Sequence, residues 1–160
     1  MHIKISIAQQ TLTLFDDVGA VIAPFSISSA ANGVGCQKDS GCTPLGQHII
    51  RAKIGQNAAP NTVFVGRRAT GEIFTPELQA AFPQRDWILT RILWLSGTEV
   101  GKNRLGQVDT MQRYIYIHGT PDSTALGSIG SHGCIRMHNA DITLLFDLVA
   151  VGTVVNIVND

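Results

Sequence analysis

The chain carries no excess of charge of either sign: Lys plus Arg and Asp plus Glu each number 12 in 160 residues. It also has no basic run and no basic-aromatic stripe, which argues against a nucleic-acid partner or an anionic membrane surface and leaves a small molecule as the expected ligand. Long apolar runs are missing too. The longest candidate, Ile142 to Val151, contains Asp147 and falls short of the ~18 residues a membrane span needs, so no membrane insertion is expected. Met1-His2-Ile3-Lys4-Ile5-Ser6-Ile7 alternates apolar and polar residues and does not resemble the basic region, apolar stretch and cleavage site of an export signal. A soluble, cytoplasmic protein is therefore expected, or a periplasmic one if a leader has been removed. Cysteine is scarce, with three in the chain. Cys36 and Cys42 bracket a short segment and would stay reduced in a cytosol, their pairing being open, whereas Cys134 stands alone and is the candidate reagent.

What is present reads mostly as strand. A chain of 160 residues is the size of one domain, so a single domain over residues 1–160 is expected. Ile3-Ile5-Ile7, Leu12-Leu14 and Val21 to Ile27 have period-two alternation, interrupted by the turn residues Asp16-Asp17-Val18-Gly19. Thr43-Pro44-Leu45-Gly46 opens another extended segment through His48, Ile50 and Ile54, and Asn61 to Gly66 and Trp87 to Leu95 add further β-rich runs. Ile142, Leu145, Phe146 and Val149 instead follow helical spacing, with Asn139 as candidate N-cap, Asp141 in the first turn and Gly152 as the stop. A weaker helix is predicted over Pro76 to Phe82 and a last strand over Thr153 to Val158. The pattern predicts a mainly β fold, a sandwich with one or two short helices.

Chemistry concentrates in two stretches. Tyr114-Ile115-Tyr116-Ile117 alternates into His118-Gly119-Thr120, and Ser131-His132-Gly133-Cys134-Ile135-Arg136 follows. A thiol attacks carbonyls as its thiolate, so a cysteine on a short loop among histidines reads as a nucleophile with its base. In that reading His118, presented by a strand end, takes the proton from Cys134, and a nearby acceptor holds its other ring nitrogen. Apart from Asp122 no carboxylate stands beside the motif, so the Gly119 carbonyl is the candidate orienting group. Amides around His132, Gly133 and Cys134 are candidate oxyanion donors, each typically worth about 3 kcal/mol, which makes acyl transfer the natural chemistry. Ser131 either caps this turn or orients the site, and Arg136 suits a carboxylate clamp. Isolated histidines near a buried thiol are common, but the clustering weighs against that bland reading. Zinc on His118, His132, Cys134 and His138 is disfavoured because His-x-Cys on a tight turn is not a usual structural pattern, so neither metal nor cofactor is expected. Arg91, Trp94, Glu99 and Arg113 stay ambiguous, and a lone strand histidine such as His48 is usually structural.

These two stretches together resemble the signature of the L,D-transpeptidase catalytic domain, the YkuD domain. Thr43-Pro44-Leu45-Gly46 and the first strands also look like that family, so the resemblance runs from about Ile3 to Val158. It implies an L,D-transpeptidase-type β-sandwich of mixed sheets, with the cysteine in a cleft under a flap. By resemblance Cys134 is the nucleophile, His118 the base, Gly119 the orienting carbonyl, and His132 with Gly133 part of the oxyanion and substrate-binding turn. The family attacks the bond between the L-centre of diaminopimelate and the terminal D-alanine of a peptidoglycan stem tetrapeptide, forming a thioester. An amine acceptor then gives a cross-link, and water gives a tripeptide. Arg136 stands where many family descriptions place asparagine, and the gap from His118 to Ser131 is short; both leave the acceptor open. With no export signal visible, the resemblance implies a cytoplasmic L,D-carboxypeptidase of murein recycling. A periplasmic transpeptidase is the alternative, and a non-catalytic muropeptide-binding domain is the least favoured. The implied partners are peptidoglycan stem peptides or muropeptides, with carbapenem β-lactams as covalent inhibitors.

Overall fold

Ile3 and Ile5 of β1 (His2–Ser6) and Leu12 and Leu14 of β2 (Thr11–Phe15) are all fully buried in the computed structural model, which describes residues 1–160. The alternation that predicted these strands thus turns one face of each inward. β3 (Val21–Ser26) pairs with β2 at one edge of the sheet, where Pro24 costs no ladder hydrogen bond. β4 (Gly46–Ile54), β5 (Thr62–Val65) and β6 (Arg68–Ile73) follow, then the helix α1 (Pro76–Ala81) and the long strand β7 (Ile88–Gly97). After two short 3-10 turns come β8 (Tyr116–Gly119), β9 (Ile135–Met137), the helix α2 (Asn139–Leu148) and β10 (Val154–Val158).

The strands hydrogen-bond in the order β3-β2-β1-β10-β4-β7-β5-β6, with β8 and β9 branching from β7. The β1–β10 and β8–β9 pairs are parallel and the others antiparallel, so the fold is the expected mainly β, mixed architecture with two helices. Its strands form one curled sheet wrapped round a core of 20 buried residues. β7 is the hub, pairing with β4, β5 and β8. Ile142, Leu145 and Phe146 bring the apolar face of α2 into that core.

Three local expectations need correction, and one strand carries no signal in the sequence. The N-cap of α2 is His138, and Asn139 is the first helical residue, its side chain engaged in a buried network. The helix also ends before Gly152: Val149 turns extended, keeping its side chain in the core, and Gly152 at φ 94° only shapes the turn into β10. The Tyr114–Ile115 alternation does not extend the strand, because Tyr114 adopts a left-handed conformation at φ 57° and β8 begins at Tyr116. β6 is absent from the sequence reading because it is a largely exposed edge strand of polar residues with no alternation. His48 is fully buried in β4, with Nδ1 3.0 Å from Gly46 O and Nε2 3.0 Å from the Thr110 hydroxyl, so it braces the fold away from the cleft.

Leu93, fully buried in the hub strand, tests this architecture. Leu93→Ala is expected to lose about 3 kcal/mol in urea unfolding. Val18→Ala, at a side chain 90% exposed, is expected to change stability by less than about 0.5 kcal/mol.

Candidate active site

Parallel pairing of β8 with β9 sets His118 opposite Arg136 and leaves Cys134 one residue before β9. The turn that carries Cys134 is held by side chains on both sides. Ser131 donates its hydroxyl to Cys134 O at 2.6 Å and accepts from the Gly133 amide at 3.2 Å. Thr43, fully buried, donates to Gly133 O at 3.0 Å and accepts from the Ala30 amide at 3.0 Å. Gly133 sits at φ 130°, a conformation that demands glycine, and the space is tight, since a Cβ there would come within 3.1 Å of Ile115 Cδ1. Ser131 is thus a brace of the turn. Its bonding also engages the Gly133 amide, while the amides of His132 and Cys134 donate to no protein acceptor.

A second network fixes the histidine. His118 is 1% exposed, and its Nδ1 lies 2.7 Å from Gly119 O. A carbonyl only accepts, so Nδ1 carries the proton and Nε2 is left as the base. The Gly119 backbone is pressed against its surroundings: a Cβ would stand 2.4 Å from Asn139 Oδ1 and 2.6 Å from Leu89 O. The Asn139 amide donates to Thr120 O at 2.9 Å, Asn61 Oδ1 at 3.0 Å and Asp122 Oδ1 at 3.1 Å. Its carbonyl accepts from the Thr90 hydroxyl at 2.5 Å. Thr90 lies where the β7–β8 register shifts and has φ 74°, a costly conformation for a β-branched residue that these bonds hold in place.

Cys134 lines a cleft of about 470 Å³ together with His118, His132, Arg136, Asp86, Tyr114, Tyr116 and Arg67. Its sulfur is not hydrogen-bonded to His118. The thiol donates to Tyr114 O at 3.4 Å and receives the Tyr116 amide at 3.3 Å. The left-handed Tyr114 is what turns that carbonyl toward the sulfur. Burial pushes the Cys134 thiol up to about 12, outweighing the Tyr116 amide that favours the thiolate. Burial likewise holds the His118 imidazole below its ordinary value, opposed by the Gly119 carbonyl and Asp86. The resting pair is therefore a neutral thiol and a neutral imidazole.

The structure brings Cys134, His118, Ser131, His132 and Arg136 to one cleft, with the Gly119 carbonyl orienting His118 and the Gly133 carbonyl tying the Cys134 turn to Thr43. His132 is exposed where this cleft meets two side grooves of about 420 and 270 Å³. Arg136 is bound to Gly130 O at 3.0 Å and paired with Asp86 at 3.3 Å. His138 caps α2, and no three His, Cys, Asp or Glu side chains converge as metal ligands. Cys36 and Cys42 are free, half-buried thiols. Arg113 ties their loop by donating to Gly35 O at 3.1 Å and Cys42 O at 2.6 Å. Sequence reasoning missed Arg67, Asp86, Thr90 and the buried role of Asn139, all of which act across the fold and carry no local signal.

The family model of the L,D-transpeptidase catalytic domain (YkuD) matches residues 1–157. Over 48 residues the chain is 44% identical to the Probable L,D-transpeptidase YbiS of Escherichia coli, covering 30% of this chain and 16% of that protein. The first of the curated relatives is matched over only 25% of its own length. Among solved structures, a cysteine-to-serine mutant of Enterococcus faecium L,D-transpeptidase superposes with TM-score 0.59 at 18% identity, over 98% of this chain and 49% of that one. L,D-transpeptidase 3 from Mycobacterium tuberculosis, in complex with a faropenem-derived adduct, gives TM-score 0.58 at 17% identity over 99% and 59%. At these identities the structural likeness concerns the fold.

Two outcomes are expected from this geometry. With Cys36→Ser and Cys42→Ser leaving Cys134 as the lone thiol, iodoacetamide labelling read by intact mass should accelerate about tenfold per pH unit between roughly pH 7 and 10, without a plateau. The sign follows from the raised thiol: below about 12 the thiolate fraction keeps growing with pH, whereas a plateau near neutrality would reveal a preformed thiolate. Asn139→Ala is expected to lose about 1–3 kcal/mol in chemical denaturation, since it leaves the buried partners of both its amide and its carbonyl unsatisfied.

Proposed function

From the membership of this chain in the L,D-transpeptidase catalytic domain family, we propose that it is a cysteine acyl-enzyme acting on peptidoglycan stem peptides, with hydrolysis as its principal outcome. The observation that carries the reading is the convergence of Cys134, the Gly119-oriented His118 and the two unengaged amides of His132 and Cys134 on one open cleft. Cys134 Sγ attacks the carbonyl of the diaminopimelate L-centre as its proton passes to His118 Nε2. The new oxyanion takes hydrogen bonds from the His132 and Cys134 amides, in place of the three-amide set the sequence suggests. Collapse breaks the C–N bond, His118 returns the proton to the departing D-alanine nitrogen, and a thioester remains on Cys134. Water then attacks the thioester as His118 Nε2 takes one of its protons, the C–S bond breaks, and His118 returns that proton to Cys134 Sγ, releasing the tripeptide and restoring the thiol.

Because thiol and imidazole are both neutral at rest, charge develops only as the substrate carbonyl arrives. That arrangement places the demand on the oxyanion donors rather than on a standing thiolate. The open cleft supports hydrolysis, since Cys134 is only half-buried and water reaches a thioester there directly. This reading makes the protein an L,D-carboxypeptidase of cytoplasmic murein recycling. The alternative, a periplasmic transpeptidase, is favoured by one observation: the groove beyond His132, lined by Lys38, Asp39, Gln112 and Arg113, is large enough to seat an acceptor peptide. A carbapenem is expected to acylate Cys134 because its strained ring offers the thiol an acyl group that the same donors stabilise.

Incubation with a disaccharide tetrapeptide and an added D-amino acid, followed by mass spectrometry, separates these outcomes. Loss of D-alanine alone is expected; exchange products or dimers would establish transpeptidation instead. Cys134→Ala should abolish turnover and keep its thermal transition, and activity in that folded variant would overturn the thiol mechanism.

A further inference from the structure

Two guanidinium groups line the cleft, and they are not equivalent. Arg136 is already neutralised by Asp86 and committed to Gly130 O. Arg67 has no acidic partner. It stands with Gly66 at the tip of the β5–β6 hairpin, both residues at positive φ of 64° and 54°, as a two-residue primed turn requires. A glycine would occupy the Arg67 position without strain, so what the turn gains from arginine is its side chain. That side chain reaches back over the cleft: the guanidinium lies 4.8 Å from the Trp94 ring centre and 4.7 Å from that of Tyr114, and Nη1 donates to Tyr116 Oη at 2.9 Å.

We propose that Arg67 is the receptor for a substrate carboxylate adjacent to the scissile bond, which makes the β5–β6 hairpin a specificity element of the site; this rests on reading the cleft as an acyl-transfer centre. The two tyrosines it touches are the residues whose backbones hold the Cys134 sulfur, through Tyr114 O and the Tyr116 amide. A group bound to Arg67 is thereby held beside the nucleophile. Stacking on aromatic faces leaves a guanidinium its in-plane donors, and only one of the five N–H groups is used by Tyr116. The remaining edge matches a carboxylate in the bidentate geometry that arginine favours. The terminal D-alanine of a tetrapeptide carries such a carboxylate one residue beyond the attacked carbonyl, and the acid group of a carbapenem stands similarly close to its lactam carbonyl.

The test compares wild type, Arg67→Met and Arg67→Lys, each checked for its thermal transition, on two pairs of probes. One pair is the stem tetrapeptide with its C-terminus as free acid or amide. The other is a carbapenem as free acid or carboxyl ester, with acylation of Cys134 followed by intact mass. In Arg67→Met, kcat/KM on the free acids should fall about 10- to 100-fold, chiefly through KM, with little change on amide and ester, and Arg67→Lys should recover part of the loss. Equal losses on acid and neutral probes, or no loss, overturn the proposal. If wild type leaves the tetrapeptide intact but the carbapenem pair shows the acid-specific loss, the carboxylate site stands and the murein reading falls. If the tetrapeptide is cleaved with no charge-specific effect at Arg67, the murein reading stands and the carboxylate site falls. A wild type inert to all four probes overturns both.

Discussion

The site depends on one hydrogen bond, from His118 Nδ1 to the Gly119 carbonyl at 2.7 Å. A backbone carbonyl and a carboxylate both fix the tautomer, but they differ in charge. A carboxylate would stabilise the imidazolium and pull the proton onto His118 before substrate arrives; a carbonyl fixes direction with far less effect on basicity. Burial then decides the balance and keeps His118 neutral. The close packing of Gly119 against Asn139 and Leu89 follows from this choice. An orienting carbonyl is only as well aimed as its own peptide plane, and the strained Thr90, the Asn139 amide and the start of α2 all hold that plane.

The same logic extends to the nucleophile. Cys134 is held by backbone groups alone, the Tyr114 carbonyl on its proton and the Tyr116 amide on its sulfur. Neither imposes a charge, and the thiol stays protonated. Amides fixed in direction need no reorganisation when charge appears, so two neutral partners and a pair of free amides can remain stable at rest and still stabilise an oxyanion once it forms. The bracing of the turn by Ser131 and Thr43 fits this scheme, because amide direction is the quantity that must not drift.

What was legible in the sequence was whatever lies in a short stretch of chain. Strand alternation in β1, β2 and β7, the helical spacing of Ile142, Leu145 and Phe146, and the His118-Gly119 and Ser131–Arg136 runs each announce themselves locally. Groups that act through tertiary contact did not. Asn139 satisfies every N-cap criterion by type and position, yet its side chain is worth more to the buried network than to a helix end, and His138 takes the cap. Thr43 stands out in the sequence only as part of a family-like segment, although it bonds to Gly133 some 90 residues away. Arg67 sits in a polar stretch with no periodicity, so nothing nearby distinguishes it from a solvated turn residue.

This separation also divides labour within the cleft. The reacting groups lie on β8 and the turn before β9, paired to the hub strand and packed on the core, where displacement is costly. The groups on the opposite wall come from less buried parts of the chain: Arg67 from an edge hairpin and Asp86 from the segment between α1 and β7. Chemistry thus rests on elements whose geometry is over-determined, and recognition on elements that can change without disturbing it. The Asp86–Arg136 pair joins the two walls, since Arg136 leaves β9 beside the nucleophile and ends on the carboxylate across the cleft. A charge pair in that position narrows the cleft without adding net charge, so the cation left to select a ligand is the one on the hairpin.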